Sequence, residues 1–232
     1  KATGKREIEA SCYTGIAGIR RLQGDLERAE DMQRQSLAIQ KMMPNERALA
    51  IGFSHLGVIL HARGDLGQAE KMFKTSIDIG TRIGDQELIS SGRGNLGLVF
   101  HARGELDRAV DEYTASLKIS EKLGFLSRTA NQYGNLGKLY QERSQLDKAE
   151  SMYLQSLELH ERTGSLHSIA TVYAVLGDLR HQQGDLPGAR NLLKTAADIA
   201  RDIGAHALVE DIQELVEGYA AAKPGRAAQG RR

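Results

Sequence analysis

The chain has 232 residues, and 31 basic against 30 acidic side chains leave a formal net charge of +1. A charge this close to zero provides no overall field that would attract nucleic acid or an anionic membrane. Its one cysteine, Cys12, excludes an intrachain disulfide and a zinc site built from several thiolates, which is typical of a reducing compartment. No apolar run approaches the roughly 18 residues of a spanning helix. These features predict a cytoplasmic protein that binds neither nucleic acid nor membrane, with Cys12 as a small buried residue.

One short pattern recurs along the chain every 40 residues. Its five copies are GDLERAE from Gly24, GDLGQAE from Gly64, GELDRAV from Gly104, SQLDKAE from Ser144 and GDLPGAR from Gly184. Gly or Ser ends one helix and the next polar residue caps another, so each copy predicts a helix–turn–helix. An internal period of about 20–50 residues is typical of solenoid proteins. The sequence therefore predicts a row of helix pairs without a single central core.

We name the helix before each turn the A helix and the helix after it the B helix. The predicted pairs are 8–23 with 25–42, 47–63 with 65–83, 86–103 with 105–123, 127–143 with 145–163, and 166–183 with 185–203. Pro44 ends the first repeat by disfavouring helix at the preceding residue. The next four repeats end at glycines suited to a left-handed C-terminal cap, namely Gly84, Gly124, Gly164 and Gly204.

A sixth A helix at 206–222 has no B helix after it, and its polar face is that of a capping helix. We therefore expect an array over residues 1–222, with repeats at about 5–44, 45–84, 85–124, 125–164 and 165–204 and a cap at 205–222. The basic stretch 223–232 lacks apolar periodicity, and we expect it to be disordered.

Small residues recur at fixed positions inside both kinds of helix. They are Gly57, Gly97, Gly137 and Gly177 in the A helices and Ala29, Ala69, Ala109, Ala149 and Ala189 in the B helices. A helical glycine costs roughly 0.5–1 kcal/mol relative to alanine, so its recurrence predicts close approach of a neighbouring helix backbone. Large residues fill the remaining space: Tyr13, Phe53, Tyr133 and Tyr173 in the A helices, and Phe73, Tyr113, Tyr153 and Leu193 in the B helices. Arg93 interrupts the first of these series, which predicts looser packing there, and Ile16, Ile19 and Leu22 share one face of the first helix.

This pattern, with a further small residue at Ser36, Ser76, Ser116 and Ser156, resembles the tetratricopeptide repeat family over residues 8–222. The usual period of the family is about 34 residues. A 40-residue repeat with Gly-Asn-Leu-Gly in the A helix is similar to its longer-helix branch, which includes kinesin light chains and the Pins/LGN adaptors. The resemblance implies an all-α, right-handed superhelical solenoid of antiparallel helix pairs, with A helices on the concave wall and a C-terminal capping helix. It also implies a non-enzymatic adaptor or scaffold that holds a peptide or extended segment of a partner protein in this groove.

The resemblance implies which residues contact that partner. In this branch the asparagine of Gly-Asn-Leu-Gly binds the backbone of the bound chain, and the matching residues are Asn95 and Asn135, with His55 at the same position in the second repeat. Pins/LGN adaptors often carry an arginine four residues earlier, where this chain has Ile51, Ser91, Asn131 and Thr171. Their preference for acidic motifs is therefore not implied.

Four residues of the fourth repeat occupy wall positions from which they would meet a carboxylate of the bound segment: Arg128, Asn131, Lys138 and Gln141. A solvated helix face is the alternative for them. The last turns of three A helices carry Arg63, Arg103 and Arg143, where the helix dipole favours a cation without any ligand.

His61, His101 and His181 stand at one repeat position near the end of an A helix. Equivalent side chains of successive repeats lie about 10 Å apart, whereas zinc ligands lie about 2 Å from the ion. We therefore predict no metal site, and expect these histidines to line the groove or cap the helix end.

No catalytic residue and no cofactor are predicted, because the sequence has no glycine-rich phosphate loop, no paired Cys/His arrangement and no nucleophile elbow. An RNA-binding helical repeat is a rival class, but its only basic cluster would be Lys223, Arg226, Arg231 and Arg232. The other alternative is a sensor or self-associating segment of a larger signalling protein, forming a homo-oligomer in the second case. A sequence that opens on Lys1 inside a helical pattern is typical of such a segment.

Overall fold

The computed structural model describes residues 2–221, and within them the chain forms eleven α-helices and no β-strand. The helices are α1 (Ala2–Leu22), α2 (Leu26–Gln40), α3 (Glu46–Ala62), α4 (Leu66–Ile83), α5 (Gln86–Ala102), α6 (Leu106–Leu123), α7 (Leu126–Glu142), α8 (Leu146–Thr163), α9 (Leu166–Gln182), α10 (Leu186–Asp202) and α11 (His206–Ala221). The predicted all-α class and the order of five helix pairs followed by a final A helix are confirmed. Only α1 departs clearly from its predicted bounds, because it begins at Ala2. The tail predicted at 223–232 lies outside the described residues.

Side-chain caps mark where five of the eleven described helices begin. Asp25, Asp65 and Asp185 accept hydrogen bonds from the backbone N–H three residues later, at the starts of α2, α4 and α10. Asn45 and Asp85 cap α3 and α5 in the same way. Three B helices end as predicted on glycines in the left-handed conformation, Gly84, Gly124 and Gly164. The repeat boundaries thus follow from local backbone chemistry.

The turn from each A helix to its B helix contains one residue with positive φ. Glycine supplies it in four repeats, at Gly24, Gly64, Gly104 and Gly184. In the fourth repeat Ser144 adopts the same conformation at φ 57°, and it is the only non-glycine residue with positive φ between residues 2 and 221. A side chain in this region is strained, so the surrounding helices impose the turn on Ser144.

The chain divides into two compact units between Arg128 and Thr129. In the first unit α1 packs on α2, α3 on α4 and α5 on α6, and each of α3 and α5 also packs on the B helix before it. In the second unit α9 packs on both α8 and α10, and α11 packs on α10. Within each unit, therefore, an A helix is packed on its own B helix and on the preceding one.

Small and large residues interlock inside each repeat. The alanines Ala29, Ala69, Ala109, Ala149 and Ala189 are at most 3% exposed. A Cβ on Gly57 would lie 2.6 Å from the Phe73 ring, and one on Gly137 would lie 2.6 Å from the Tyr153 ring. The predicted close approach is confirmed, but the neighbour is mainly a large B-helix side chain. The prediction of a neighbouring backbone was wrong in that respect.

One further prediction was wrong, the burial of Cys12 on α1. Ile16, Ile19 and Leu22 are 42%, 58% and 78% exposed, and Cys12 is exposed as well. Ala10 and Ala17 form the buried face of α1 instead. The reason is positional, because among the described residues no B helix lies in front of α1 to cover its second apolar face.

Arg93, which interrupts the aromatic series, forms an ion pair with Glu112 at 3.0 Å. Its guanidinium thus replaces ring packing with a charge-assisted hydrogen bond between α5 and α6.

Candidate functional site

Within each compact unit, the faces of the A helices that are not covered by B helices form a surface that we call the A-helix wall. In the first compact unit its neighbouring members α3 and α5 are in contact. In the second unit α9 and α11 are in contact. Residues spaced by three or four along each A helix share this face. Such spacing places Asn131, Asn135 and Lys138 in one row on α7.

Asn95 lies in the first unit, half-buried on α5. Its side-chain amide nitrogen donates a hydrogen bond of 3.3 Å to the hydroxyl of Ser54 on α3. This bond joins two adjacent A helices on the wall. The amide predicted to hold a partner therefore already has a weak intramolecular acceptor.

His55 also lies on the wall of the first unit, on α3, and its ring remains accessible to solvent. Partial desolvation by the surrounding protein, followed by the charge of Arg21, lowers the pKa of His55. The ring is therefore neutral at physiological pH, with one nitrogen able to donate and the other able to accept a hydrogen bond.

Asn131 and Lys138 are exposed on α7, and Asn135 between them is half-buried. Within the described chain, no side-chain hydrogen bond or ion pair engages any of the three. The row thus offers two amides and an ammonium group, with donors and acceptors whose present partner is solvent. These three side chains are therefore available to bind a ligand.

Gln141, one turn further along α7, belongs to a hydrogen-bonded cluster. Its carbonyl accepts from the Tyr153 hydroxyl at 2.7 Å, and its amide donates to Asp178 at 2.6 Å. Tyr219 on α11 also donates to Asp178. Burial, reinforced by the charge of Asp178, raises the pKa of both tyrosines, so both hydroxyls stay protonated. The structure assigns Gln141 to the joint between α7, α8 and α9.

Arg128 reaches back to the previous repeat. Its guanidinium lies 3.5 Å from the Glu87 carboxylate and 5.0 Å from the centre of the Phe125 ring. One of its terminal nitrogens is buried without a hydrogen-bond partner among the described atoms. Much of its charge is therefore neutralised where it lies.

The three histidines near the A-helix ends have different surroundings. The His61 Nε2 atom is buried and unpaired among the described residues, and the His181 ring stacks on Tyr219 at 3.6 Å between ring centres. His101 is half-buried and makes an intramolecular interaction. Within residues 2–221, no three His, Cys, Asp or Glu side chains converge on a point where they could hold a metal ion.

Sequence reasoning missed the role of the arginines in the last turns. Arg63 pairs with Glu30 of the preceding repeat, and Arg103 pairs with Glu70 at 2.6 Å and donates to the Leu66 carbonyl at 2.9 Å. Hydrogen bonding to Lys74 first, and to Arg103 second, lowers the pKa of Glu70. The signal was present, because Glu30 and Glu70 lie 40 residues apart, as do Arg63 and Arg103. Arg63 and Arg103 therefore connect successive repeats.

No helix between residues 2 and 221 is long and apolar enough to cross a membrane.

Comparison with known proteins identifies a family whose repeats match most of this chain. The tetratricopeptide repeat family matches residues 48–122 and 128–202, and a second description of the same repeat matches residues 10–43. Neither matching family is a catalytic one. The search of curated proteins found no match.

Three solved structures with this fold have low sequence identity. The first is the nearly identical TPR-like repeats of a Podosopora anserina protein described as a kinesin light chain, with 16% identity, a TM-score of 0.65, and coverage of 84% of this chain and 96% of that one. The second is the Rap conjugation gene regulator of plasmid pLS20 in complex with the Phr* peptide, with 15% identity, a TM-score of 0.82, and coverage of 97% and 62%.

The third is a signal transduction ATPase from Pyrococcus horikoshii with a tetratricopeptide repeat sensor, with 19% identity and a TM-score of 0.74. It is matched over 89% of this chain and 32% of its own length. At these identities the likeness establishes the fold. The chain therefore belongs to the tetratricopeptide repeat family, with the fold of kinesin light chain repeats.

Proposed function

We propose that the chain is a non-enzymatic, cytoplasmic interaction module that binds an extended segment of a partner protein along its A-helix wall, as an adaptor or scaffold. The observation that carries this proposal is the row Asn131, Asn135 and Lys138 on α7. Polar groups on a helix face are ordinarily solvated, but asparagine is a poor residue for a helix interior. Two asparagines one turn apart, without an intramolecular partner among the described residues, therefore point to a ligand.

The chemistry of the row indicates the kind of segment. The amides of Asn131 and Asn135 can each donate to a backbone carbonyl and accept from a backbone N–H, so they suit an extended chain of any sequence. The Lys138 ammonium would favour a carboxylate nearby. Asn95 and His55 offer the same kind of contact on the wall of the first unit, where Asn95 would have to exchange its long bond to Ser54 for one to the ligand.

Among the compared proteins, the Rap regulator of pLS20 was solved in complex with a peptide. That complex supports peptide binding by this fold. It does not define a site in the present chain.

A randomised peptide library selected on the immobilised chain would test the proposal. Enriched peptides would be synthesised and titrated against the parent chain, Asn135→Ala and Asn95→Ala. Each net hydrogen bond contributes about 0.5–1.5 kcal/mol, so we expect Asn135→Ala to weaken binding by about 2- to 13-fold. Asn95→Ala should have a smaller effect, because its amide is partly satisfied by Ser54 without the ligand.

Glu158→Ala is the matched control, since Glu158 is exposed on the B helix α8 of the same unit. Equal affinity of all enriched peptides for the parent chain and Asn135→Ala, with loss in Glu158→Ala, would reject the wall as the binding surface.

A sensor segment of a larger protein is the second candidate. The observation that favours it is the likeness to the tetratricopeptide repeat sensor of the Pyrococcus horikoshii ATPase, of which this chain covers 32%. Binding to the wall would then regulate a neighbouring domain, and the same titrations would apply to the longer protein.

A further inference from the structure

The first helix presents an unpartnered apolar face, which we call the α1 face: Ile8, Cys12, Ile16 and Ile19. These residues are spaced by four, four and three, so they lie on one side of α1. Ile8, Ile16 and Ile19 are 68%, 42% and 58% exposed, and Cys12 is also exposed. Exposed apolar rows of this kind on a soluble helix mark interaction surfaces.

The repeat shows what covers this face elsewhere. One period or more later, the positions of Cys12, Ile16 and Ile19 are occupied by buried residues, such as Val172, Leu176 and Leu179 in α9. A Cβ on Gly52, at the Cys12 position of α3, would meet the Leu37 and Gln40 side chains of α2. A Cβ on Gly92, at the same position of α5, would meet Ile77 of α4. The α1 face thus corresponds to the surface of α3 and α5 on which the preceding B helix packs.

A polar pair beside this face repeats in the same register. Arg20 donates to the Gln23 side-chain carbonyl at 3.2 Å, and four periods later Arg180 donates to Gln183 at the same distance. In α9 this pair holds the glutamate of the preceding B helix, since Arg180 forms an ion pair with Glu150 and the Gln183 amide lies 3.3 Å from it. Beside α1 the pair faces no such carboxylate among the described residues. The α1 face and its flank therefore reproduce the surface of α9 that binds α8.

We propose that the α1 face binds an amphipathic helix with the pattern of this chain's own B helices, Leu-x-x-Ala-Glu followed by apolar residues, whose glutamate pairs with Arg20. The apolar side of that helix would cover Cys12, Ile16 and Ile19. A second copy of this chain is not the source we infer, because its B helices already pack on its own A helices. This interaction is separate from the A-helix wall and does not depend on the proposed function.

Cys12 provides a direct readout, because it is the only thiol of the chain and lies within the proposed surface. The probe is a synthetic peptide with the sequence of α8, Leu146–Thr163, since α8 is the helix that the matching pair of α9 binds. The rate at which an aromatic disulfide reagent labels Cys12 would be measured over a peptide titration. We expect saturable slowing of labelling, with no slowing by a scrambled peptide of the same composition.

Charge reversal tests the predicted pairing. Arg20→Glu should weaken the effect of the peptide about tenfold, because a like-charged pair would face the Glu150 position of the peptide. A peptide carrying Glu150→Lys should restore slowing with Arg20→Glu and lose it with the parent chain. Arg162→Glu in the protein is the control for charge reversal at another exposed arginine, since Arg162 belongs to α8 and not to α1, and it should leave the titration unchanged. Circular dichroism would confirm that both variants are folded.

Three results would overturn the proposal. The first is a labelling rate that the α8 peptide leaves unchanged up to its solubility limit. The second is equal slowing by the α8 and scrambled peptides. The third is slowing that depends on protein concentration without any peptide, which would assign the α1 face to contact between copies of this chain.

Discussion

At Gly97 the missing side chain makes room for the Tyr113 ring, since a Cβ there would overlap the ring atoms. Tyr113 is fully buried, so its ring lies among other protein atoms and not at the surface. The same pairing of a small A-helix residue with a large B-helix residue occurs at Gly57 with Phe73 and at Gly137 with Tyr153. Adding one methyl group at such a glycine would therefore disturb the close packing between the two helices of a repeat.

We therefore predict that Gly97→Ala lowers the free energy of unfolding by about 1–3 kcal/mol, because the added methyl group overpacks this contact. Urea denaturation would measure the change. Gly67→Ala is the control, since a Cβ on exposed Gly67 meets only its own cap residue at 3.9 Å, and it should leave stability unchanged or slightly higher. A variant of Gly97 as stable as the parent chain would disprove the packing role.

His160 at the end of α8 is 4% exposed, and its Nδ1 atom has no hydrogen-bond partner among the described residues. Burial lowers the pKa of His160. Below pH about 6.5 this histidine therefore binds a proton in the unfolded chain more readily than in the folded chain. Protonation of His160 in the unfolded chain therefore lowers the free energy of unfolding as the pH falls below that value.

The expected outcome is that the parent chain loses more unfolding free energy than His160→Gln between about pH 7.5 and about pH 5. Denaturant titrations of both proteins at the two pH values would measure it. The other six histidines are common to both chains, so their contribution cancels in the comparison. Parallel stability curves for the two proteins would show that His160 does not carry this pH dependence.

At the scale of elements, the turn between α7 and α8 has Ser144 at the position where the other four turns have glycine. Ser144 has a φ of 57°, a conformation that costs a side-chain-bearing residue roughly 1–2 kcal/mol. Ser144→Gly should therefore stabilise the chain, by about 0.5–1 kcal/mol once the greater freedom of glycine in the unfolded chain is included.

Thermal and urea unfolding of Ser144→Gly would check this, with Ser151→Gly inside α8 as the control. The control should be destabilised by about 0.5–1 kcal/mol, because glycine is a poor helix residue. If both substitutions lowered stability alike, the strain at Ser144 would not be released by glycine.

Much of the element structure could be predicted from sequence, because caps and turns depend on neighbouring residues. Asp65 and Gly84 indicate the start and end of α4 by themselves. The cluster around Asp178 could not be predicted, since Gln141 and Tyr219 are 37 and 41 residues away from it in the sequence. The burial of Cys12 was predicted wrongly for a related reason. Whether a helical face is covered depends on which helix precedes it, and residue type alone does not contain that information.

At the scale of the whole molecule, the same repeat is used in two ways. Hydrogen bonds between A helices, such as Asn95 with Ser54 and Gln141 with Asp178, stabilise the wall within each compact unit. The row on α7 is left available. The family and the fold could be predicted from the 40-residue period. The division of wall residues into joint-forming and uncommitted ones required the structure, because the repeat places both kinds at equivalent positions.

The central claim is that partners bind along the A-helix wall, and mapping one bound peptide by nuclear magnetic resonance tests it most directly. A peptide selected on the chain would be titrated into isotopically labelled protein while the backbone amide shifts are followed. We predict that the largest changes fall in the A helices, chiefly in α7, with Asn131 and Asn135 among the most affected residues. Saturable changes confined to the B helices α4, α6, α8 and α10 would contradict the account.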